Sequence, residues 1–118
     1  MNIECIREYC LSKKGTSETF PFDESTLVFK VLDKIFALTG LDRIPTQINL
    51  KCDPEYTLEL RDQHSDITGG YHMNKKHWNT VMVEGDLEDQ MILSLIDHSY
   101  DIVVSSFTMK KTKELDSL

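Results

Sequence analysis

The chain is poor in what marks a metal or redox protein. Its three cysteines, Cys5, Cys10 and Cys52, form no C-x-x-C pair and leave an odd thiol. That points to reduced thiols in a cytoplasmic protein rather than a disulfide framework. No uncharged apolar run approaches the ~20 residues of a membrane span, and the first residues lack the basic and apolar blocks of a signal peptide. A Gly-rich phosphate loop, a G-x-S-x-G elbow and a paired-carboxylate motif are all missing. Positive charge is scarce too: 13 Lys and Arg stand against 20 Asp and Glu, for a net charge of −7. Nucleic-acid binding rests on phosphate neutralisation, so this chain would need a locally basic face to achieve it.

What remains is an ordinary globular composition, 118 residues with 40% hydrophobic and 28% charged. Such a length suits one domain over residues 1–118. The acidity is concentrated late. Glu84, Asp86, Glu88, Asp89, Asp97 and Asp101 fall between Val81 and Val104 with no lysine or arginine among them, whereas bases and acids balance from Leu27 to Thr80.

Taken in order, Asn2 caps a helix over about residues 2–13, with Ile3, Ile6 and Cys10 on one face and Gly15 as its stop. Thr16 to Ser25 reads as a connection in which Phe20-Pro21-Phe22 pins the loop to the core. Leu27–Val31 and Lys34–Leu38 read as a hairpin pairing Val31 with Lys34, Phe29 with Phe36 and Leu27 with Leu38. Its two-residue loop, Leu32-Asp33, fits poorly, because tight hairpins favour positive φ and leucine resists it. Gln47–Lys51 is a strand with Ile48 and Leu50 inward. Asp53 then caps a helix that has Pro54 at its first position and runs to about His64. Ile67–Met73 and Trp78–Glu84 are two further strands. Asp86 caps a long helix with Ile92, Leu95, Ile96, Ser99 and Val103 inward, and a frayed tail follows Lys110.

The order α-β-β-β-α-β-β-α predicts a two-layer α+β fold. An antiparallel sheet of about five strands is covered on one face by helices, and Lys30, Gln47, Asn49 and Lys51 line the other.

The densest mixture of chemistry is Gly69 to Asn79, which holds His72, His77, Trp78, Lys75, Lys76 and two asparagines. His72 and His77 are five apart and have no cysteine or carboxylate to complete a zinc set, so no metal and no cofactor is expected. Cys52 beside Lys51 is a weak nucleophile candidate, and His98 reads as a surface or cap residue. A tip carrying Lys75 and Lys76 suits a phosphate backbone. Trp78 is expected in the core, His72 at the site, and Asn74 fits either role.

These residues resemble the MmcQ/YjbR family. The likeness runs through Pro21-Phe22, the Leu27–Leu38 hairpin with Lys34 and Phe36, and Ile48 to Pro54. It continues through Leu60-Arg61, Tyr71 to Thr80, and Ser99-Tyr100-Asp101. One departure is Thr68-Gly69-Gly70, where the family often has proline before the Tyr-His pair. The resemblance implies a fold related to frataxin/CyaY-like and secretion-chaperone-like domains, and DNA binding through a double-wing arrangement. It carries over Asn49, Lys51, Arg61, His72, Asn74, Lys75, His77 and Trp78 as characteristic positions. The expectation is therefore a cytoplasmic, monomeric protein that binds duplex DNA or another polyanion and is not an enzyme. Two alternatives stand beside it: a small-molecule or enzymatic site using His72, Asn74 and Lys51 on the open sheet face, and a secretion-chaperone-like module for a protein partner.

Overall fold

A computed structural model describes residues 1–70 and 73–118. Six strands form one antiparallel sheet in the order β1-β2-β3-β4-β6-β5. They are β1 (Thr16–Thr19), β2 (Thr26–Val31), β3 (Lys34–Gly40), β4 (Gln47–Lys51), β5 (Ile67–Gly69) and β6 (Trp78–Met82). The helices are α1 (Ile3–Leu11), α2 (Pro54–Gln63), α3 (Asp89–Ser105) and α4 (Met109–Asp116). The two-layer α+β architecture expected from the sequence is present, with β1 and α4 added to it.

Local chemistry explains most boundaries. Asn2 Oδ1 accepts the Cys5 N–H at 2.9 Å and starts α1. Asp53 accepts the Glu55 and Tyr56 N–H groups, and Pro54 has no N–H to lose at the first turn of α2. The apolar spacing of α3 is realised in full: Ile92, Leu95, Ile96, Ser99 and Val103 are its buried residues. They pack against Phe29, Phe36, Ile48, Leu50 and Val81 of the sheet and Ile6 and Cys10 of α1. Each such large side chain contributes roughly 1.5–3 kcal/mol by leaving water.

Several expectations are corrected. Phe20 and Phe22 do not pin a loop, being 48% and 66% exposed; the neighbouring Thr16–Thr19 instead pairs with β2 as an edge strand. The hairpin register holds at Val31↔Lys34 but shifts by one beyond Lys30, where Phe29 meets Ala37 and Leu27 meets Thr39. Phe36 is the extra residue of a bulge, and both it and Ala37 are fully buried. Leu32 does adopt positive φ, at 54°, where its N–H donates to Gly15 O at 2.9 Å and its side chain packs on the core. Those contacts offset a strain of about 1–2 kcal/mol. Asp86 is not the cap of α3. Glu88 holds that position without a side-chain bond, and Asp86 donates its N–H to Asp66 Oδ2.

The expected frayed tail is α4. Thr108 caps it, and Leu115 is buried over Gly15 at a point where any Cβ would lie 2.5 Å from the leucine. Lys111 also reaches Asp33 at the β2–β3 tip.

The bulge has a consequence for the middle of the sheet. The β3–β4 ladder contains only Ala37↔Leu50 and Leu38↔Asn49. Beyond one end, the buried Ser99 hydroxyl donates to Phe36 O at 2.5 Å and accepts the Lys51 N–H at 2.9 Å. Beyond the other, Thr39 Oγ1 donates to Gln47 O at 2.6 Å. Two hydroxyls thus continue a seam that the backbone cannot close alone. Ser99→Ala strands a buried donor and a buried acceptor, so it is expected to cost about 1–3 kcal/mol in chemical denaturation. A loss under ~0.5 kcal/mol, the size of an ordinary surface change, would mean that the seam closes without the hydroxyl.

Candidate functional site

The helices cover one side of the sheet and, among the described residues, leave the other bare of helices, although Val28 and Thr80 on it are buried. Strand alternation places Lys30, Ile35, Lys51 and Trp78 in one row of that bare face. Thr19, Val28, Leu38, Asn49, Thr80 and Thr68 form the next row, and Thr26, Gly40, Gln47 and Met82 the third. No strand residue of these rows is a carboxylate. Glu18, the one acidic residue in a strand, faces the helices and is bonded to Arg7 at 2.7 and 2.5 Å.

This division extends to the ion pairs. Among the described residues, Arg7, Lys13 and Lys111 pair with Glu18, Asp97 and Asp33 on the helix side. Lys30 and Lys51 on the bare face, and Lys75 and Lys76 beside it, have no such partner among those residues.

Trp78 is therefore not a core residue, contrary to expectation. It is partly exposed, lies outside the hydrophobic cluster, and shares the bare face with its cross-strand partner Lys51. The reason is parity: Asn79 and Val81 take the inward positions of β6. Asn49 stands one row on. Its Oδ1 accepts from Thr80 Oγ1 at 2.6 Å, which leaves the amide NH2 to the face. A concavity of about 140 Å³ opens there between Leu38, Asn49, Thr80 and Arg43. This falls short of the ~300–1,000 Å³ usual for small-molecule sites.

The β5–β6 connection presents the other two lysines. β5 ends at Gly69, short of the expected Ile67–Met73, whose Tyr71 and His72 lie outside the described residues, and a turn spans residues 75–77. Asn74 builds that turn: its Oδ1 accepts the Lys76 N–H at 3.0 Å, and its carbonyl accepts from His77 at 3.1 Å and Trp78 at 2.9 Å. Lys75 and Lys76 are exposed, and the Lys75 stem lies where a Cβ on Gly69 would come within 3.2 Å. His77 is partly buried and accepts the Cys52 N–H on its carbonyl at 2.7 Å. The expectation for His72 falls outside the described residues.

Arg61 works from beneath. Its Nε donates to Asn79 Oδ1 at 2.9 Å, and its Nη2 to the carbonyls of Trp78, at 3.1 Å, and Lys75. Asn79, only 2% exposed, passes the contact to Thr57 Oγ1 of α2 at 3.4 Å. The guanidinium thus holds the lysine turn to α2 and does not share the face with Lys51. Sequence reasoning missed this role, and the hydrogen bonds that the inward Ser99 makes behind Lys51, although both residues lie in the segments that carried the family likeness.

The remaining candidates are structural. Burial pushes the Cys52 thiol up, outweighing the hydrogen bond from Thr57, so Lys51 does not activate it. His98 Nε2 accepts the Asp53 N–H at 3.2 Å and its ring meets Tyr56 edge-on, a capping role as expected. Among the described residues, no three His, Cys, Asp or Glu side chains converge as metal ligands. No described helix is long and apolar enough to cross a membrane.

Fold and face together define a small two-layer α+β protein with helices on one side of its sheet and no strand carboxylate on the other. The chain belongs to the YjbR family, whose pattern matches residues 11–102. It is 36% identical to the uncharacterized protein YjbR of Escherichia coli K12, over the full length of both chains. It is also 30% identical to protein YyaQ of Bacillus subtilis, over 84% of this chain and 95% of that one. The crystal structure of Deinococcus radiodurans protein DR2400, of domain family DUF419, superposes with a TM-score of 0.91 at 41% identity. That match covers 98% of this chain and 88% of the other. A Pseudomonas syringae protein is similar at a TM-score of 0.75 and 32% identity, covering 86% of this chain and 98% of its own.

If Arg61 is the tie described, Arg61→Ala abandons three acceptors and is expected to destabilise by about 1–3 kcal/mol or more. Arg61→Lys should recover little, since an ammonium cannot reproduce the planar fork. A lysine variant with wild-type denaturation and unchanged proteolysis of the 73–77 turn would refute the tie.

Proposed function

We propose that this protein binds a polyanion, DNA foremost, through the bare sheet face and the turn that carries Lys75 and Lys76. One observation supports the reading: in a chain of net charge −7, Lys30, Lys51, Lys75 and Lys76 lie on or beside a face without strand carboxylates, and they have no ion-pair partner among the described residues. Ammonium groups that neutralise phosphates release the counterions condensed on the polyanion, which gives the binding its salt dependence. The support for a double wing is one-sided. The β5–β6 turn is exposed and basic, while the β2–β3 tip carries Asp33 paired to Lys111 and is bonded to Gly15. Free Cys5, Cys10 and Cys52 suit a reducing, cytoplasmic setting.

The reading predicts binding to mixed-sequence DNA whose log affinity falls with log salt at about 0.7–0.9 per phosphate met. Substituting Lys51, Lys75 and Lys76 together by Ala should flatten that slope by about two to three, while stability at these exposed or half-exposed sites changes by about 0.5 kcal/mol per site or less. Absence of binding at ~50 mM salt, a condition that favours phosphate contacts, would end the proposal, as would an unaltered slope in the triple variant.

A further inference from the structure

We infer that the occupant of the bare face is a single-stranded polynucleotide, its bases meeting Trp78 and Asn49 while its phosphates meet Lys51, Lys30 and the lysine turn. This rests on the polyanion reading and specifies the ligand of the same site.

The shape of the protein argues against a duplex. Sequence in a duplex is read by an element that enters a groove, usually a helix or a two-stranded ribbon. Here α1 and α3 lie behind the sheet, packed against it. The one long ribbon, β2–β3, has its tip fastened by Gly15 and by Lys111, and Asp33 there would repel phosphate. On the bare side the described residues place no helix that could enter a groove.

Single strands are met differently, on an aromatic platform flanked by cations, with amides free to bond exposed base edges. Trp78 and Lys51 are cross-strand partners, and Lys30 and Ile35 are a second cross-strand pair on the same face. Three strand spacings separate Trp78 from Lys30, roughly 14 Å, the reach of a few nucleotides. Opposite Trp78 on the outer side stands Gly70, whose N–H donates to Trp78 O at 3.0 Å. A Cβ there would come within 3.2 Å of both the Trp78 Cβ and the Met73 Cβ, so the Trp78 backbone approaches that of its neighbour closely, and Trp78 itself is partly exposed. Asn49 stands one row away, its Oδ1 held by Thr80 and its amide NH2 without a hydrogen-bond partner among the described residues.

Trp78 is the only tryptophan, so intrinsic fluorescence reports on this position alone. Mixed-sequence oligonucleotides of ~12 nucleotides, within the usual single-strand site sizes, are titrated as deoxy and ribo single strands and as the matching duplexes, with heparin as a base-free polyanion. The expected result is quenching by a single strand but not by heparin, and at least tenfold tighter binding of that strand than of its duplex. Trp78→Ala should weaken single-strand binding about 5- to 150-fold, the factor that loss of one stacked base represents, and Trp78→Phe should retain most of it. Whichever sugar binds tighter identifies the source of the strand. Duplex binding as tight as single-strand binding, or binding without quenching, overturns this inference and leaves the polyanion reading standing. No binding of any oligonucleotide or heparin overturns both.

Discussion

The middle of the sheet depends on a hydroxyl that belongs to a helix. Because Phe36 is a bulged residue, β3 brings two consecutive side chains to the core, and its hydrogen-bonding edge loses step with β4 after two residue pairs. A buried N–H and C=O left at that point would cost about as much as the rest of the short ladder supplies. Ser99 removes the difficulty by standing between Phe36 O and the Lys51 N–H. The same contact locks α3 against the sheet, since its apolar stripe can slide along a hydrophobic face but a two-sided hydrogen bond cannot. Lys51 is thereby fixed through its backbone from behind while its side chain faces forward. A rigid scaffold holding a cation in register with an aromatic is what a recognition surface needs.

Charge is sorted by layer in the same way. Carboxylates are numerous enough to make the whole protein acidic, and among the described residues Glu18, Asp97 and Asp33 pair with Arg7, Lys13 and Lys111. At physiological salt, exposed charges more than ~8 Å apart barely sense one another. A sheet and a layer of helices are together thicker than that. The lysines of the bare face are therefore only weakly shielded by the acids behind it, and net charge is a poor guide to what this face attracts.

How much of this the sequence disclosed depended on whether a side chain's type decided its fate. In α3 it did: five inward residues at helical spacing could pack only one way, and they do. At Asp53-Pro54 it did again, because cap and proline both act within one turn. The hairpin was legible at its tip and misread beyond, since nothing in Leu27–Leu38 marks the residue that will bulge. β1 and α4 escaped notice for a shared reason. Thr16–Thr19 has no apolar alternation and is held as an edge by backbone pairing and by Arg7–Glu18. Likewise α4 contributes one buried residue, Leu115, whose niche exists only because Gly15 lacks a Cβ. Trp78 was assigned to the core by size. Its face is set by the parity of β6, and Val81 already claims the inward phase.

The candidate site was half legible for a related reason. Exposed lysines announce themselves by composition, and Lys75 and Lys76 stand where a tip was expected. Arg61 has the same charge but a different task, because a planar guanidinium within reach of Asn79 and two carbonyls satisfies more partners beneath the sheet than it would above it. A characteristic basic residue in such a family is thus no guarantee of contact with a ligand. Here one cation organises the turn from below so that others can be offered from above. The acidic layer adds direction to this arrangement. If the bare face takes a polyanion as proposed, α3, with Asp89, Asp97 and Asp101 and no lysine or arginine, presents a repulsive side, and the field favours approach to the sheet.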